Sequence, residues 1–295
     1  MVRTATTASP LAHLRQSTGE VVRQLLGPPP PLAAPGDHDP GLFGPGSVTW
    51  RAHAHMAMLV GGIRSLLVQT LHPLAMAGVA DYSAYEDDPL GRLQRTAAFI
   101  ASTTYGSTSQ ATGAIEAVKR IHATVFGTAP DGRPYRADDP ALLAWVHHVE
   151  VESFLLAYQR IGPGLDVADS DRYVAEMATV GRLMGASPLM TDVAGLRSFV
   201  AEHPDQMATA QARRAVRFIV YPPLPAQARA PYAVLLTAAI SLVPLRQRLP
   251  LGLVLPGPIG GRLACEPAAR ALVGLLGWAM GPSPAREQAL ARSTV

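Results

Sequence analysis

"DPLGRLQRTAAFIASTTYGSTSQATGAIEAVKRIHATVFG", residues 88–127, decides the fold class because it reads as two helices joined by a short turn. Asp88 and Pro89 are typical of a helix N-cap and its first turn. A second N-cap is expected at Thr108 or Ser109, after a break at the turn. The stretch therefore predicts a helical hairpin whose two helices could face each other across one cavity.

The chain on either side of this hairpin also carries helical patterns. One helix is expected through residues 50–71, capped by Ser47 or Thr49 and stopped or kinked at His72-Pro73. No alternating apolar–polar pattern and no strand–helix alternation appears. Further helices are predicted at Pro10–Leu26, from Asp139-Pro140 onward, and around residues 229–243 and 266–280. The sequence predicts an all-α fold, a single multi-helix bundle of eight or more helices.

Two segments are predicted to lie outside these helices. Residues 1–40 form a Pro-rich N-terminal segment with one short helix, and the four prolines at residues 28–31 favour polyproline II. Residues 128–140, "TAPDGRPYRADDP", are predicted to be a loop. The remaining chain, residues 41–295, is expected to be one all-α domain that includes the C-terminal helices.

Composition excludes several classes of protein. The 295 residues carry a net charge of +3, and the basic residues are scattered, which argues against a nucleic-acid partner. Cys265 is the only cysteine, so no disulfide framework and no cysteine zinc site is expected, and a cytoplasmic location is predicted. The longest apolar run, residues 232–243, is too short to cross a bilayer. It predicts a buried or interfacial helix, which leaves peripheral membrane contact open.

One stripe on the first helix of the hairpin combines charge with hydroxyl groups. At about 100° per residue, Arg92, Arg95, Thr96, Phe99 and Thr103 fall within one narrow sector. A buried arginine keeps its charge and must meet an anion such as a carboxylate, a phosphate or a cofactor propionate. The alternative is a solvated face whose hydroxyls cap or bond back to the helix.

The second helix of the hairpin ends with a single histidine. His122 follows Lys119 and Arg120, so an ordinary surface histidine is one interpretation. One imidazole is also sufficient to ligate a heme iron axially while the opposite side stays open to dioxygen. Spacing alone leaves both interpretations open.

A third cluster lies in "AWVHHVEVESFLLAY", residues 144–158. His148 and Glu152 are spaced i,i+4, and His147 and Glu150 are spaced i,i+3. Such pairs occur in carboxylate-bridged di-iron bundles, but those need inward carboxylates from four helices, and no second Glu-x-x-His pair appears. The alternative is that these histidines are salt-bridged or satisfied within the core.

The remaining central histidines are weaker candidates for ligands. His53 and His55 are two residues apart and lie on different helical faces, so a chelate is not expected. His72 precedes Pro73 at a helix break, where an imidazole is expected to satisfy loose backbone groups.

Together the ordered motifs resemble the MpaB-type oxygenase family, which includes the latex-clearing rubber oxygenases. The likeness runs from about residue 40 to about residue 255. The order of the motifs along the chain is more specific to this family than any single motif. It is carried by "GLFGPGSVTWRAHAHMAMLVGGIRSLLVQTLHPLAMAGVADYS", "DPLGRLQRTAAFIASTTYG", "VKRIHATVFG", "GRPYRADDPALLAWVHHVEVESFL" and "PLRQRLPLGL".

The resemblance implies a globin-reminiscent all-α fold that binds heme b. In the rubber oxygenases an Arg-x-x-Lys-Thr segment lies on the distal side, and a histidine on a following helix is the proximal ligand. Carried over by position, Arg92, Arg95 and Thr96 line the distal pocket as catalytic residues and His122 holds the iron. Phe99, on the same stripe, is also expected to contact the cofactor.

The resemblance also has one departure and one further match. The lysine of the relatives is Arg95 here, and an arginine cannot ligate iron as a neutral amine. This residue therefore places rubber as a substrate in doubt. Ser153, on the tryptophan-bearing helix, matches a hydroxyl residue that lies near the heme in the relatives.

These observations lead to one functional hypothesis and two alternatives. The hypothesis is a heme b-dependent oxygenase that uses dioxygen on a small hydrophobic substrate. One alternative is a non-heme di-iron oxygenase built on His147, His148, Glu150 and Glu152. The other is a non-catalytic helical protein that binds heme or lipid.

Overall fold

Helices dominate the structure, a computed structural model that describes residues 10–28, 38–83, 86–254 and 256–293. The predicted all-α class is confirmed, and the described residues add one two-stranded sheet. In chain order the elements are α1 Pro10–Leu26, α2 Val48–His53, α3 Met58–Gln69, α4 Pro73–Tyr82, α5 Pro89–Tyr105, α6 Thr108–His122, β1 Phe126–Thr128, β2 Pro134–Arg136, α7 Pro140–Arg160, α8 Val167–Met184, α9 Val193–Glu202, α10 Ala210–Val220, α11 Ala226–Ser241, α12 Leu245–Arg248, α13 Pro258–Gly260, a π-helical turn Gly261–Cys265, α14 Glu266–Met280 and α15 Pro284–Ser293.

The predicted N-terminal helix forms and packs on the rest of the protein. α1 has the predicted bounds and lies against α14 and α5. Gln94 of α5 donates a hydrogen bond to the carbonyl oxygen of Gln24 in α1, at 3.0 Å. The polyproline prediction covers residues 28–31, of which residues 29–31 lie outside the described residues.

The prediction of one continuous helix through residues 50–71 is wrong, because the segment forms two helices, α2 and α3. Ser47 caps α2 by accepting a hydrogen bond from the backbone of Trp50. The break follows at residues 54–57, where Nδ1 of His55 accepts a hydrogen bond from the N–H of Ala57, at 3.2 Å. A side chain that binds a nearby backbone N–H competes with the helical ladder and favours such a break.

The segment predicted to be a loop at residues 128–140 contains most of a small antiparallel hairpin. β1 pairs with β2, and Gly127 stands opposite Tyr135. Tyr135 is buried, and its hydroxyl donates to the carboxylate of Asp81 at 2.5 Å, so tertiary packing holds the hairpin against α4. Strands of three residues are too short to give an alternating pattern, which is why the sequence does not indicate them.

The core is built around the long helix α7, with α3 packed closely against it. Trp145 of α7 is fully buried in the largest apolar cluster. α11 covers α3, and its apolar run is buried through Leu235, Leu236 and Ile240, as predicted. No helix in the described residues combines the length and apolarity that crossing a bilayer requires.

Candidate functional site

The predicted helical hairpin forms from α5 and α6, which pack against each other. Asp88 caps α5 as predicted, while α6 is capped by Ser107, one residue before the predicted cap, in a capping box with Gln110. Only residues 106–107 separate the helices, so they run antiparallel. The first turns of α5 and the last turn of α6 therefore lie at the same end of the hairpin, which brings the arginine-bearing segment to the level of His122.

His122 is a half-buried imidazole with an unused nitrogen. Its Nδ1 is buried and has no hydrogen-bond partner among the described residues. Burial lowers the pKa of His122, and the nearby carboxylate of Asp138 opposes that shift only in part. The ring is therefore neutral at pH 7, the form that binds a metal ion.

The stripe of Arg92, Arg95, Thr96, Phe99 and Thr103 on α5 has a solvent-exposed end and a buried end. Arg95 is exposed and pairs with Asp88 at 3.0 Å, and the hydroxyl of Thr96 donates to the carbonyl oxygen of Arg92 at 3.0 Å. Arg92 and Phe99 are half-buried. Thr103, one turn beyond Phe99, is buried, and its hydroxyl donates a hydrogen bond to the carbonyl oxygen of Phe99. The charged part of the stripe thus faces solvent at the end of the hairpin that carries His122.

Large apolar side chains are exposed at this same end. Leu90 and Leu93 lie on the first turns of α5, and Ile121 precedes His122 on α6. Tyr82 and Phe126 join them from α4 and β1, where the Tyr82 hydroxyl donates to the carbonyl oxygen of Phe126 at 2.9 Å. Exposed apolar side chains grouped at one end of a hairpin can contribute to a surface for a ligand or a partner. We call these five residues the apolar rim.

Ser153, the matched hydroxyl residue on α7, lies in a different part of the molecule. It is fully buried between α7 and α3, where it accepts a hydrogen bond from Arg64 at 2.6 Å and donates one to Val149 at 2.6 Å. None of its described hydrogen bonds reaches α5 or α6.

The four residues of the di-iron alternative do not converge on one point. Both nitrogens of His148 are occupied, Nδ1 by the carbonyl oxygen of Ala144 at 2.7 Å and Nε2 by the N–H of Met190 at 2.9 Å. Glu152 is paired with Arg64 at 2.7 Å. This structure therefore favours the interpretation that these residues are satisfied within the core.

The other two residues of that alternative, His147 and Glu150, are half-buried titratable groups. Burial raises the pKa of Glu150 to about 7 and lowers the pKa of His147 to about 3. His147 lies against Gly181 of α8, where a Cβ atom would come within 2.9 Å of its ring. The missing side chain at Gly181 thus makes room for a neutral imidazole.

A buried polar chain, not predicted from sequence, ties the hairpin to the core. Nδ1 of His53 bonds the hydroxyl of Thr104 on α5, and Nε2 bonds the hydroxyl of Tyr173 on α8, both at 2.9 Å. Burial lowers the pKa of His53 to about 4, so it is neutral at pH 7. Sequence offers no signal for this chain because its members come from three separate helices.

A second cluster that the sequence did not predict joins His72, His203 and Asp205. One potential ligand atom from each lies within 4.8 Å of the others. The expectation that His72 satisfies backbone groups is wrong, because its Nδ1 is buried without a partner in the described part of the chain. A cavity of about 470 Å³ lies beside the cluster and is lined by His203 and by Phe199 of α9.

The comparisons with known proteins assign the fold and its chemistry to one family. The family described as "ER-bound oxygenase mpaB/B'/Rubber oxygenase, catalytic domain" matches residues 50–287, which run from within α2 into α15 and include the whole α5–α6 hairpin. No curated protein and no solved structure gives a significant match. The expected resemblance is confirmed, and the chain belongs to the mpaB/rubber oxygenase catalytic-domain family, an enzyme family that uses dioxygen.

Proposed function

We propose that this oxygenase depends on heme b, with His122 as the axial ligand, and acts on a hydrophobic substrate. The observation that carries the proposal is the buried, unpartnered Nδ1 of His122 at the end of the hairpin. A buried imidazole nitrogen without a partner costs free energy, which coordination and reorientation of the ring can recover. Cys265 as the sole cysteine supports a cytoplasmic location as part of the same proposal.

The chemistry around His122 fits a porphyrin. A porphyrin has two apolar faces and carries anionic propionates, so its site needs apolar contacts and cations together. The apolar rim supplies Leu93 and Ile121, and α5 supplies Arg92 and Arg95. Arg95 is now paired with Asp88, but an exposed pair of this kind contributes at most about 1 kcal/mol. A propionate can therefore take over that arginine at little cost.

Each remaining residue has a part that follows from its chemistry. Heme b, when bound, supplies the iron at which dioxygen is activated. His122 would hold the group, and the nearby carboxylate of Asp138 would favour positive charge on its ring. The hydroxyl of Thr96 could turn from its backbone partner toward a bound substrate, and Phe99 would add an apolar contact. Arg95 supplies fixed positive charge.

Arg95 also separates this enzyme from the rubber oxygenases. The resemblance aligns it with their lysine, and a guanidinium cannot become a neutral amine ligand. A resting state closed by a lysine–iron bond is therefore unavailable here. The apolar rim favours a hydrophobic substrate, for which an unsaturated lipid or an isoprenoid is our proposal.

The test is heme binding by the full chain. Purified protein titrated with hemin should show a Soret band that saturates at about one heme per chain and responds to dithionite, carbon monoxide and imidazole. His122→Ala should lose at least tenfold in heme affinity, and His122→Gly should regain the band with added imidazole. The control is His55→Ala, on a histidine outside the hairpin.

Two results would overturn the proposal. One is the lack of any Soret band after supplementation of folded wild-type protein. The other is unchanged heme content and an unchanged imidazole response in both His122 variants.

A further inference from the structure

We infer that His72, His203 and Asp205 form a binding site for one divalent transition-metal ion. The site joins the start of α4 to the loop after α9 and is separate from the α5–α6 hairpin. It adds to the proposed heme site and does not depend on it.

The three side chains already point at one another. Nε2 of His72 lies 4.0 Å from Oδ2 of Asp205, and one potential ligand atom from each residue lies within 4.8 Å of the others. A tetrahedral Zn²⁺ holds its ligand atoms about 3.3 Å apart. Because His203 and Asp205 lie on one short loop, a shift of that loop by up to about 1.5 Å would complete the geometry.

His72 is the member that most needs a partner. Its side chain is 95% buried, and its Nδ1 has no hydrogen bond among the described residues. The rings of Trp145 and His203 pack against it, at 5.8 and 5.2 Å between centroids. Buried polar atoms are almost always paired, so the orphaned Nδ1 shows that this ring is not satisfied within the described residues, while its Nε2 faces Asp205 as the potential ligand atom.

Asp205 is held in an orientation that leaves one oxygen free for a cation. Its Oδ1 accepts a hydrogen bond from Arg133 at 2.8 Å, while its Oδ2 faces His72. Arg133 also binds Asp131 at 2.9 Å, so two carboxylates surround one guanidinium and the local charge favours a cation. A carboxylate fixed by an outer partner is the usual arrangement around a bound metal.

His203 can turn toward the same point without losing a strong bond. Its Nδ1 accepts from the N–H of Asp205 at 3.4 Å, which is long for a hydrogen bond. The ring also borders the cavity of about 470 Å³ that Phe199 and Met190 line. A metal ion held by three protein ligands would keep open positions on that side.

The donor set limits the choice of ion. Two imidazoles and one carboxylate suit Fe²⁺, Co²⁺ and Zn²⁺ and are a poor match for Mg²⁺ or Ca²⁺, which prefer oxygen ligands only. Co²⁺ is the most useful probe because its visible absorption reports coordination directly.

The test is titration of the full chain with Co²⁺ after chelation, followed by competition with Zn²⁺. Wild-type protein should bind about one Co²⁺ per chain, with visible absorption bands that Zn²⁺ removes. Asp205→Asn and His203→Gln should each weaken binding at least tenfold. Both residues are only half-buried, so both variants are expected to fold, unlike substitutions of His72.

Two controls make the outcome unambiguous. Glu202→Gln removes an exposed carboxylate beside the same cavity and should leave Co²⁺ affinity unchanged. His122→Ala should also keep it, which separates this site from the heme site. The inference fails if folded wild-type protein shows no saturable Co²⁺ binding, or if Asp205→Asn and His203→Gln bind as tightly as wild type.

Discussion

Arg64 illustrates at the residue scale how a charged side chain is accommodated in an apolar helix. It is 1% exposed and directs three donors at Glu152, Ser153 and the carbonyl oxygen of Leu242. The same contacts occupy Ser153, which the resemblance had placed near the heme. The position of Ser153 in α7 determines the helix face on which it lies. Only the packing of α3 against that face decides that Arg64 is its partner.

Substitution of Arg64 tests how much this buried pair matters. Arg64→Met leaves Glu152 without its partner in a largely buried position, so the free energy of unfolding should fall by about 3–5 kcal/mol. Urea denaturation at pH 7 measures the loss. Arg51→Met, which breaks an exposed pair with Asp169, is the control and should cost less than about 1 kcal/mol. Equal losses in the two variants would contradict this account.

At the element scale, the crossing of α3 and α7 depends on one glycine. A Cβ atom at Gly61 would lie 2.7 Å from Cδ1 of Phe154 and 3.0 Å from its Cα. At Gly62, one position further on, the nearest atom of Phe154 would be 4.0 Å away. Close packing of α3 on α7 therefore requires glycine at position 61 but not at position 62.

The pair of alanine variants at these positions separates packing from helix propensity. Gly61→Ala should destabilise the protein by about 1–3 kcal/mol, because Phe154 and the α7 backbone must shift. Gly62→Ala should be neutral or stabilise it by up to about 1 kcal/mol, because alanine favours the helix. Thermal and urea unfolding of both variants provide the measurement. A loss of the same size in Gly62→Ala would show that close approach of α7 is not the cause.

At the scale of the whole molecule, buried titratable groups make stability depend on pH in two opposed ways. Burial lowers the pKa of His53 to about 4 and that of His147 to about 3, against 6.5 for a free histidine. The unfolded chain therefore binds more protons between about pH 3 and pH 6.5, and the free energy of unfolding rises with pH in that window. Glu150 acts in the other direction, because burial raises its pKa from 4.5 to about 7.

The variant Glu150→Gln isolates the contribution of Glu150 to the pH dependence of the unfolding free energy. The protonated carboxyl stabilises the fold below pH 4.5, and this contribution is lost as the pH rises through about 7. Relative to wild type, the variant should therefore gain on the order of 2 kcal/mol in unfolding free energy between pH 5 and pH 8. Urea denaturation at the two pH values measures the change. The surface variant Glu116→Gln should show no such gain, and parallel pH profiles for Glu150→Gln and wild type would contradict the prediction.

Several features could be read directly from the sequence because they are local. Asp88-Pro89 starts α5, Asp139-Pro140 starts α7, and Pro73 begins α4, since capping and the fixed φ of proline act over a few residues. Helical periodicity likewise identified the all-α class. The break after α2 and the β-hairpin were missed because a side-chain bond from His55 and the burial of Tyr135 decide them.

The sequence by itself determined the helices, the hairpin that carries His122 and the family to which the ordered motifs point. Tertiary structure alone decided which polar groups meet, because that depends on contacts between distant segments. It paired Arg64 with Ser153, satisfied both nitrogens of His148, and brought His72 to Asp205. Periodicity states which face a residue occupies, whereas helix docking decides what covers that face.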